Sequence, residues 1–211
     1  MEPHLAEDEE LQKLKQWWKK NGNSIVIGIV LGLSGIVGFN GWNSYVQNRS
    51  ESAAGIYAQL RKAVEADSVD SVAQLSTELT EDFAATPYSA SGALIAAAHQ
   101  FSSGEVESAR KLLNWVLASD SVEPLKQTAR LRLGWLELAE SNADRTLQLV
   151  SEGDQTGFEA FFAELAAEAN LQKGSMKAAI ENYDRALAVL AENSEYTLIL
   201  QAKRNAIAGE N

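Results

Sequence analysis

The sequence predicts an all-α protein in two parts: a single N-terminal transmembrane helix, then a solenoid of short helix pairs. Three observations carry this. No charged residue stands between Lys20 and Arg49, a gap of 28 positions. At about 1.5 Å per residue, a helix of that length covers roughly 40 Å, a hydrocarbon core with part of both headgroup zones. Beyond residue 50, Ala, Leu and Glu dominate, and the whole chain of 211 residues has three prolines, a balance that favours helix. No alternating apolar and polar run bounded by hairpin turns occurs, so no sheet is expected.

Residues 1–20 read as a cytoplasmic tail and collar. The first twelve (MEPHLAEDEELQ) are acidic and expected to be mobile, passing into a short amphipathic helix around Leu11, Leu14, Trp17 and Trp18. The acidic cluster Glu7–Glu10 reads as a solvated tail, with docking as the alternative. Residues 21–45 form the transmembrane helix, with the apolar run Ser24–Phe39 at its centre. Trp17 and Trp18 mark one membrane interface, and Trp42 and Tyr45 the other. A cleavable signal would need small residues soon after the apolar run, but Asn40, Gly41, Trp42 and Asn43 follow instead. Lys13, Lys15, Lys19 and Lys20 precede the span and Arg49 alone follows it, so the N-terminus is expected in the cytoplasm. Ser24, Gly28 and Gly32 recur every four residues, and Gly32, Gly35, Gly38 and Gly41 every three. Small residues in that pattern would let a second membrane helix approach closely.

Residues 46–211 form the repeat domain. Helices are expected near 50–66, 69–84, 88–102, 106–118, 124–140, 143–151, 157–173, 176–192 and 195–208. Breaks fall at Asp67–Ser68, Thr86–Pro87, Ser103–Gly104, Ser119–Pro124, Ser141–Asn142, Gly153–Gly157, Gly174 and Asn193–Ser194. Short paired helices invite a search for a repeat. The segment Lys173–Leu187 (KGSMKAAIENYDRAL) resembles the second half of a tetratricopeptide repeat. Gly174 would be the turn glycine, Ala179 the small residue where two helices touch, and Tyr183 the bulky wedge. Ala186 and Leu187 would contact the next helix. Gly104, Ala109 and Leu113 fit the same template. A middle unit, Thr128–Val150, has Gly134 at the small position of its first helix but Thr146 where its second helix should be small. A weaker unit spans Ser52–Thr80. Three to four pairs stacked into a short superhelix is the expected architecture.

Charge narrows the partners. Residues 1–49 hold five acids and five bases, so the remainder holds 24 acids against 13 bases and the whole net charge of −11. Such a domain repels nucleic acid and anionic lipid and suits neutral, apolar or basic partners. Catalytic constellations are missing from the sequence: His4 and His99 are far apart, no cysteine occurs, and neither phosphate-loop nor dinucleotide glycine motif is present. No enzyme activity, metal or cofactor is expected. If the repeat register holds, the first helix of each pair lines a concave groove. Its inward positions would be Leu94 and Phe101, then Leu131, Trp135 and Leu138, then Phe161, Glu164, Glu168 and Leu171. That groove would be apolar and aromatic with an acidic rim, suited to an extended unfolded or nascent segment. The alternative is that these residues fill the core between helix layers. For Leu131 and Leu138 the core is favoured; for Phe101, Trp135 and Phe161 both remain open.

The order of parts, with Glu10–Tyr45 (ELQKLKQWWKKNGNSIVIGIVLGLSGIVGFNGWNSY) strongest and the Leu131–Leu149 helix pair in support, resembles the YfgM family of bacterial inner-membrane proteins. The resemblance covers essentially the full length. It implies an ancillary subunit of the SecYEG translocon, paired with a PpiD-like membrane-anchored chaperone, with a periplasmic tetratricopeptide-like domain that helps exported proteins reach periplasmic chaperones. A looser implication is a link to envelope stress. The expected function is therefore a non-enzymatic translocon adaptor. A stand-alone holdase chaperone, or a stress regulator acting through the cytosolic tail, is the alternative.

Overall fold

A computed structural model describes the backbone over residues 3–191 and 194–209, and side chains over 10–191 and 194–209. The described residues form helices α1 (Pro3–Glu65), α2 (Val69–Glu81), α3 (Pro87–Ser102), α4 (Val106–Ala118), α5 (Glu123–Ala139), α6 (Ala143–Ser151), α7 (Glu159–Gln172), α8 (Met176–Ala188) and α9 (Glu195–Ala208). The helix expected over 176–192 stops at Ala188; Glu192 and the break residue Asn193 lie outside the described residues. The chain divides into two compact units, 1–49 and 50–211.

In the first unit, α1 is helical from Pro3 onward, so the helix begins ahead of the amphipathic stretch around Leu11. Proline is tolerated in a first turn, and the Ala, Glu, Leu, Gln and Lys that follow are strong helix formers. The side chains of Glu7, Asp8 and Glu9 lie outside the described residues. Glu10–Glu65 contains the one stretch among the described residues long and apolar enough to cross a membrane. Asn21 Nδ2 donates to the Trp17 carbonyl at 3.0 Å, and Gly22 sits under the Trp18 indole. At the other end the Trp42 and Tyr45 rings lie 6.0 Å apart, with the Arg49 guanidinium 5.9 Å from the Tyr45 ring centre. Val26, Val30, Leu33, Val37 and Phe39 all face outward.

The second unit is a stack of helix pairs. The first helices begin at Pro87, Glu123, Glu159 and Glu195, one every 36 residues. Each pair turns the same way. Asp67 (φ 53°), Gly104 (φ 85°), Ser141 (φ 64°) and Gly174 (φ 75°) adopt the left-handed conformation after a first helix. The next amide reaches back five residues each time: Ser68 to Ala63 (3.0 Å), Glu105 to Gln100, Asn142 to Glu137 and Ser175 to Asn170 (2.8 Å each). This is the Schellman closure, which satisfies carbonyls the helix end would otherwise leave bare. The two glycines take that conformation freely, whereas a side chain there costs roughly 1–2 kcal/mol.

Helix starts are set by local chemistry. Proline stands in the first turns of α3 and α5, where its missing N–H has no helical partner to lose. Ser194 caps α9 by accepting the Thr197 amide at 3.1 Å. The apolar stripes then close three clusters. One joins the end of α1 with α2 and α3 through Leu60, Val72, Leu79 and Ala96. The second runs from α3 to α6 through Leu94, Leu113, Leu133 and Leu149. The third binds α7, α8 and α9 through Ala163, Tyr183 and Leu200. At the template positions, Ala109 and Ala179 are fully buried, and Tyr183 is buried in the third cluster. Thr146 departs from the pattern in residue type only. It too is fully buried, and its hydroxyl donates to the Gly134 carbonyl at 3.1 Å.

Candidate partner-binding groove

The parallel helices α3 and α5 neighbour one another along the stack, and α4 closes the floor between them. The space left is an open groove of about 450 Å³ lined by Ala97, Ala98, Phe101, Leu113, Arg132, Trp135, Leu136 and Ala139. Phe101 is 42% exposed and Trp135 36% exposed, so both rings present a face to solvent as well as to their own helices. The small alanines at 97, 98 and 139 leave the room between the rings. Leu113 and Leu136 belong to the core and form its base.

The structure distributes the remaining expected groove residues differently. Leu94 is a correction: it is 5% exposed and packs in the central cluster, because α5 lies across that end of α3 and Arg132 Nη1 donates to the Leu94 carbonyl at 2.7 Å. Leu131 and Leu138 are half-buried. Leu171 is partly buried against the α7–α9 cluster. Phe161 is exposed on one side but stacks on Tyr196 of α9, with ring centres 5.3 Å apart, and touches Phe158 at 6.1 Å. Along the membrane-helix stripe, Ser24 is exposed, and a Cβ built at Gly28, Gly32 or Gly35 meets no atom within 4 Å among the described residues.

Glu164 and Glu168 do not form a free acidic rim. The Glu164 carboxylate accepts from the Tyr196 hydroxyl at 2.7 Å and from Lys203 Nζ at 2.8 Å. Glu168 accepts from Lys203 Nζ at 2.7 Å and from the Tyr183 hydroxyl at 2.8 Å. Their partners come from α8 and α9, fifteen to thirty-nine residues away, so spacing in the sequence could not reveal them. Because α9 holds the next first-helix place in the 36-residue series, it lies where a further repeat would begin and seals α7 with this network.

That network has an alkaline limit. Burial, then the bond to Glu168, raises the Tyr183 phenol; burial, then the bond to Glu164, raises that of Tyr196. Burial alone would lower Lys203, but Glu164 and Glu168 outweigh it and hold the ammonium above its ordinary value. At all three sites the folded chain keeps its proton after the unfolded chain has lost it. The unfolded chain therefore binds fewer protons once pH passes about 10, and stability falls from there upward. The clamp is intact at neutral pH, and amide exchange in α9 should accelerate selectively above that point. Uniform protection of α9 through the alkaline range would contradict this.

His99 is buried on α3 and pairs its Nε2 with Asp67 Oδ1 at 2.9 Å across the α1–α2 turn. Sequence spacing also gave no sign of the ion cluster between α4 and α5. Buried Glu137 pairs with Arg110 and accepts from Asn142 Nδ2 at 3.0 Å, while Arg110 also reaches Glu140 at 3.0 Å.

Stacked helix pairs with a solvent-open aromatic groove, with one helix among the described residues long and apolar enough to cross a membrane, define a helical-repeat scaffold for protein contacts. The chain belongs to the tetratricopeptide repeat-like family, whose model matches residues 15–209, and with it to the YfgM family that its sequence resembles. It is similar to the ancillary SecYEG translocon subunit of Escherichia coli K12, 31% identical over 182 residues, covering 85% of this chain and 86% of the relative. The protein of the same description from Haemophilus influenzae Rd is 25% identical over 182 residues, covering 86% and 89%. That from Neisseria gonorrhoeae FA 1090 is 24% identical over 210 residues, covering 98% and 100%. No solved structure matches the chain.

Proposed function

We propose that this protein is a non-enzymatic, single-pass adaptor of the inner membrane that serves the SecYEG translocon. Its N-terminus lies in the cytoplasm and residues 46–211 lie in the periplasm, an orientation supported by the four lysines before the span against Arg49 after it. The small-residue stripe Ser24, Gly28, Gly32 and Gly35 faces a membrane-embedded partner. The repeat domain takes up apolar segments of emerging chains, or an apolar loop of a PpiD-like chaperone, and so couples translocated proteins to periplasmic chaperones. The observation that carries the reading is the groove with its half-exposed Phe101 and Trp135. The names of the relatives supply the translocon.

An aromatic anchor at the centre of a groove can hold a large share of binding energy. Trp135→Ala is expected to lower crosslinking to translocating chains or to the chaperone about thirtyfold, the equivalent of roughly 2 kcal/mol. With one face in water, its loss should move folding stability by about 1 kcal/mol or less. Photo-crosslinking in intact membranes, beside a thermal melt of the same variant, checks both halves. Undiminished crosslinks would remove the groove from the function, and a large melting loss would return Trp135 to the core.

A further inference from the structure

We propose that the α3–α5 groove selects an apolar segment bearing one acidic side chain, whose carboxylate docks on Arg132. This rests on reading the groove as the partner site and names what that site recognises.

Arg132 lines the groove beside Trp135. One of its N–H donors is used on the Leu94 carbonyl at 2.7 Å, which fixes the guanidinium in place and leaves four donors. Arg110, Arg130, Arg145 and Arg204 each pair with a carboxylate. Arg132, like Arg61 and Arg185, has no carboxylate within ion-pair distance among the described residues, but of these three it is the one that lines the groove. Arg132 as a residue is exposed at the groove, while partial covering of its guanidinium lowers its pKa. A partly desolvated guanidinium with spare donors forms a strong, charge-assisted bond to a carboxylate.

The groove walls supply the rest of the specificity. From Arg132 to Ala139 is about 10 Å along α5, so the charge stands at one end and Trp135, Phe101 and the alanines fill the remainder. The occupant therefore carries its acid at one end of an apolar stretch. A chain terminus would call for several converging donors, and Arg132 is one group between helices whose amides are already used within them, so the acid is a side chain. The surrounding negative charge disfavours polyacidic segments. One carboxylate in an otherwise neutral or basic apolar sequence is the fit.

The test uses the full-length protein in lipid nanodiscs and labelled short peptides of Leu, Phe and Ser carrying one Glu, one Gln or one Lys at the same place. The Glu peptide should bind about tenfold more tightly than the Gln peptide, one charge-assisted bond's worth. In Arg132→Gln that preference should fall to within about twofold. In Arg132→Glu it should invert toward the Lys peptide, which distinguishes lost recognition from lost folding. Amidating the peptide terminus should change nothing. Equal binding of Glu and Gln peptides by the wild type overturns the proposal but leaves the groove reading standing, as does binding that depends on a free terminus. No binding of any peptide overturns both.

Discussion

Replacing Arg110 by alanine should cost the repeat domain about 3–5 kcal/mol, because it strands a buried charge. The Glu137 side chain is 8% exposed, and Arg110 is its charge partner across the α4–α5 packing. Asn142 Nδ2 supplies one further bond, and that neutral donor cannot balance the carboxylate. The loss should appear as a lower midpoint in urea with an unchanged slope. Arg110→Met combined with Glu137→Leu should recover most of it, since apolar groups of similar size can replace a buried pair without penalty. If Arg110→Ala alone proves neutral, the pair is not what holds α4 on α5. The exposed Arg110–Glu107 contact at 3.4 Å should by contrast be worth well under about 1 kcal/mol.

Gly134→Leu should be nearly as damaging, for a steric reason. A Cβ at Gly134 would lie 2.4 Å from Leu165 Cδ2, and Leu165 is fully buried. Helix propensity favours any ordinary residue over glycine by up to about 1 kcal/mol. Overpacking a close-packed interface costs about 1–3 kcal/mol, more when backbone must shift. Overpacking wins for leucine, with an expected net loss of about 3 kcal/mol. Leu165→Ala on its own should cost about 2–5 kcal/mol through the cavity it leaves. The two together should be less harmful than their sum, because the new side chain fills the vacated space; a double-mutant cycle measures this. Strict additivity would mean that α5 and α7 do not press on each other at this point.

These two sites show which parts of the protein were legible beforehand. Gly134 could be read as the small first-helix position of the middle repeat unit, Thr128–Val150, but its spacing did not show that Leu165 of the next repeat fills the room where a side chain would stand. The turns at Gly104 and Gly174 were visible because glycine advertises the left-handed conformation. Their equivalents at Asp67 and Ser141 could be marked as breaks only, since those residue types are compatible with several turn geometries. Arg110 and Glu137 each look like ordinary surface charges on an amphipathic helix, and only packing puts one of them indoors.

Local physics on the chain alone determined the helical class, the positions of the breaks, the long uncharged apolar stretch and the short paired helices. Each depends on composition, spacing and turn chemistry within a few residues. The tertiary structure decided which face each side chain received. It sent Leu94 into the core while leaving Phe101 and Trp135 half in water. It also drew Glu164 and Glu168 into a clamp with Tyr183, Tyr196 and Lys203, and left Arg132 without an acid. Those outcomes depend on which neighbouring helix covers which stripe, an arrangement set by contacts between distant segments.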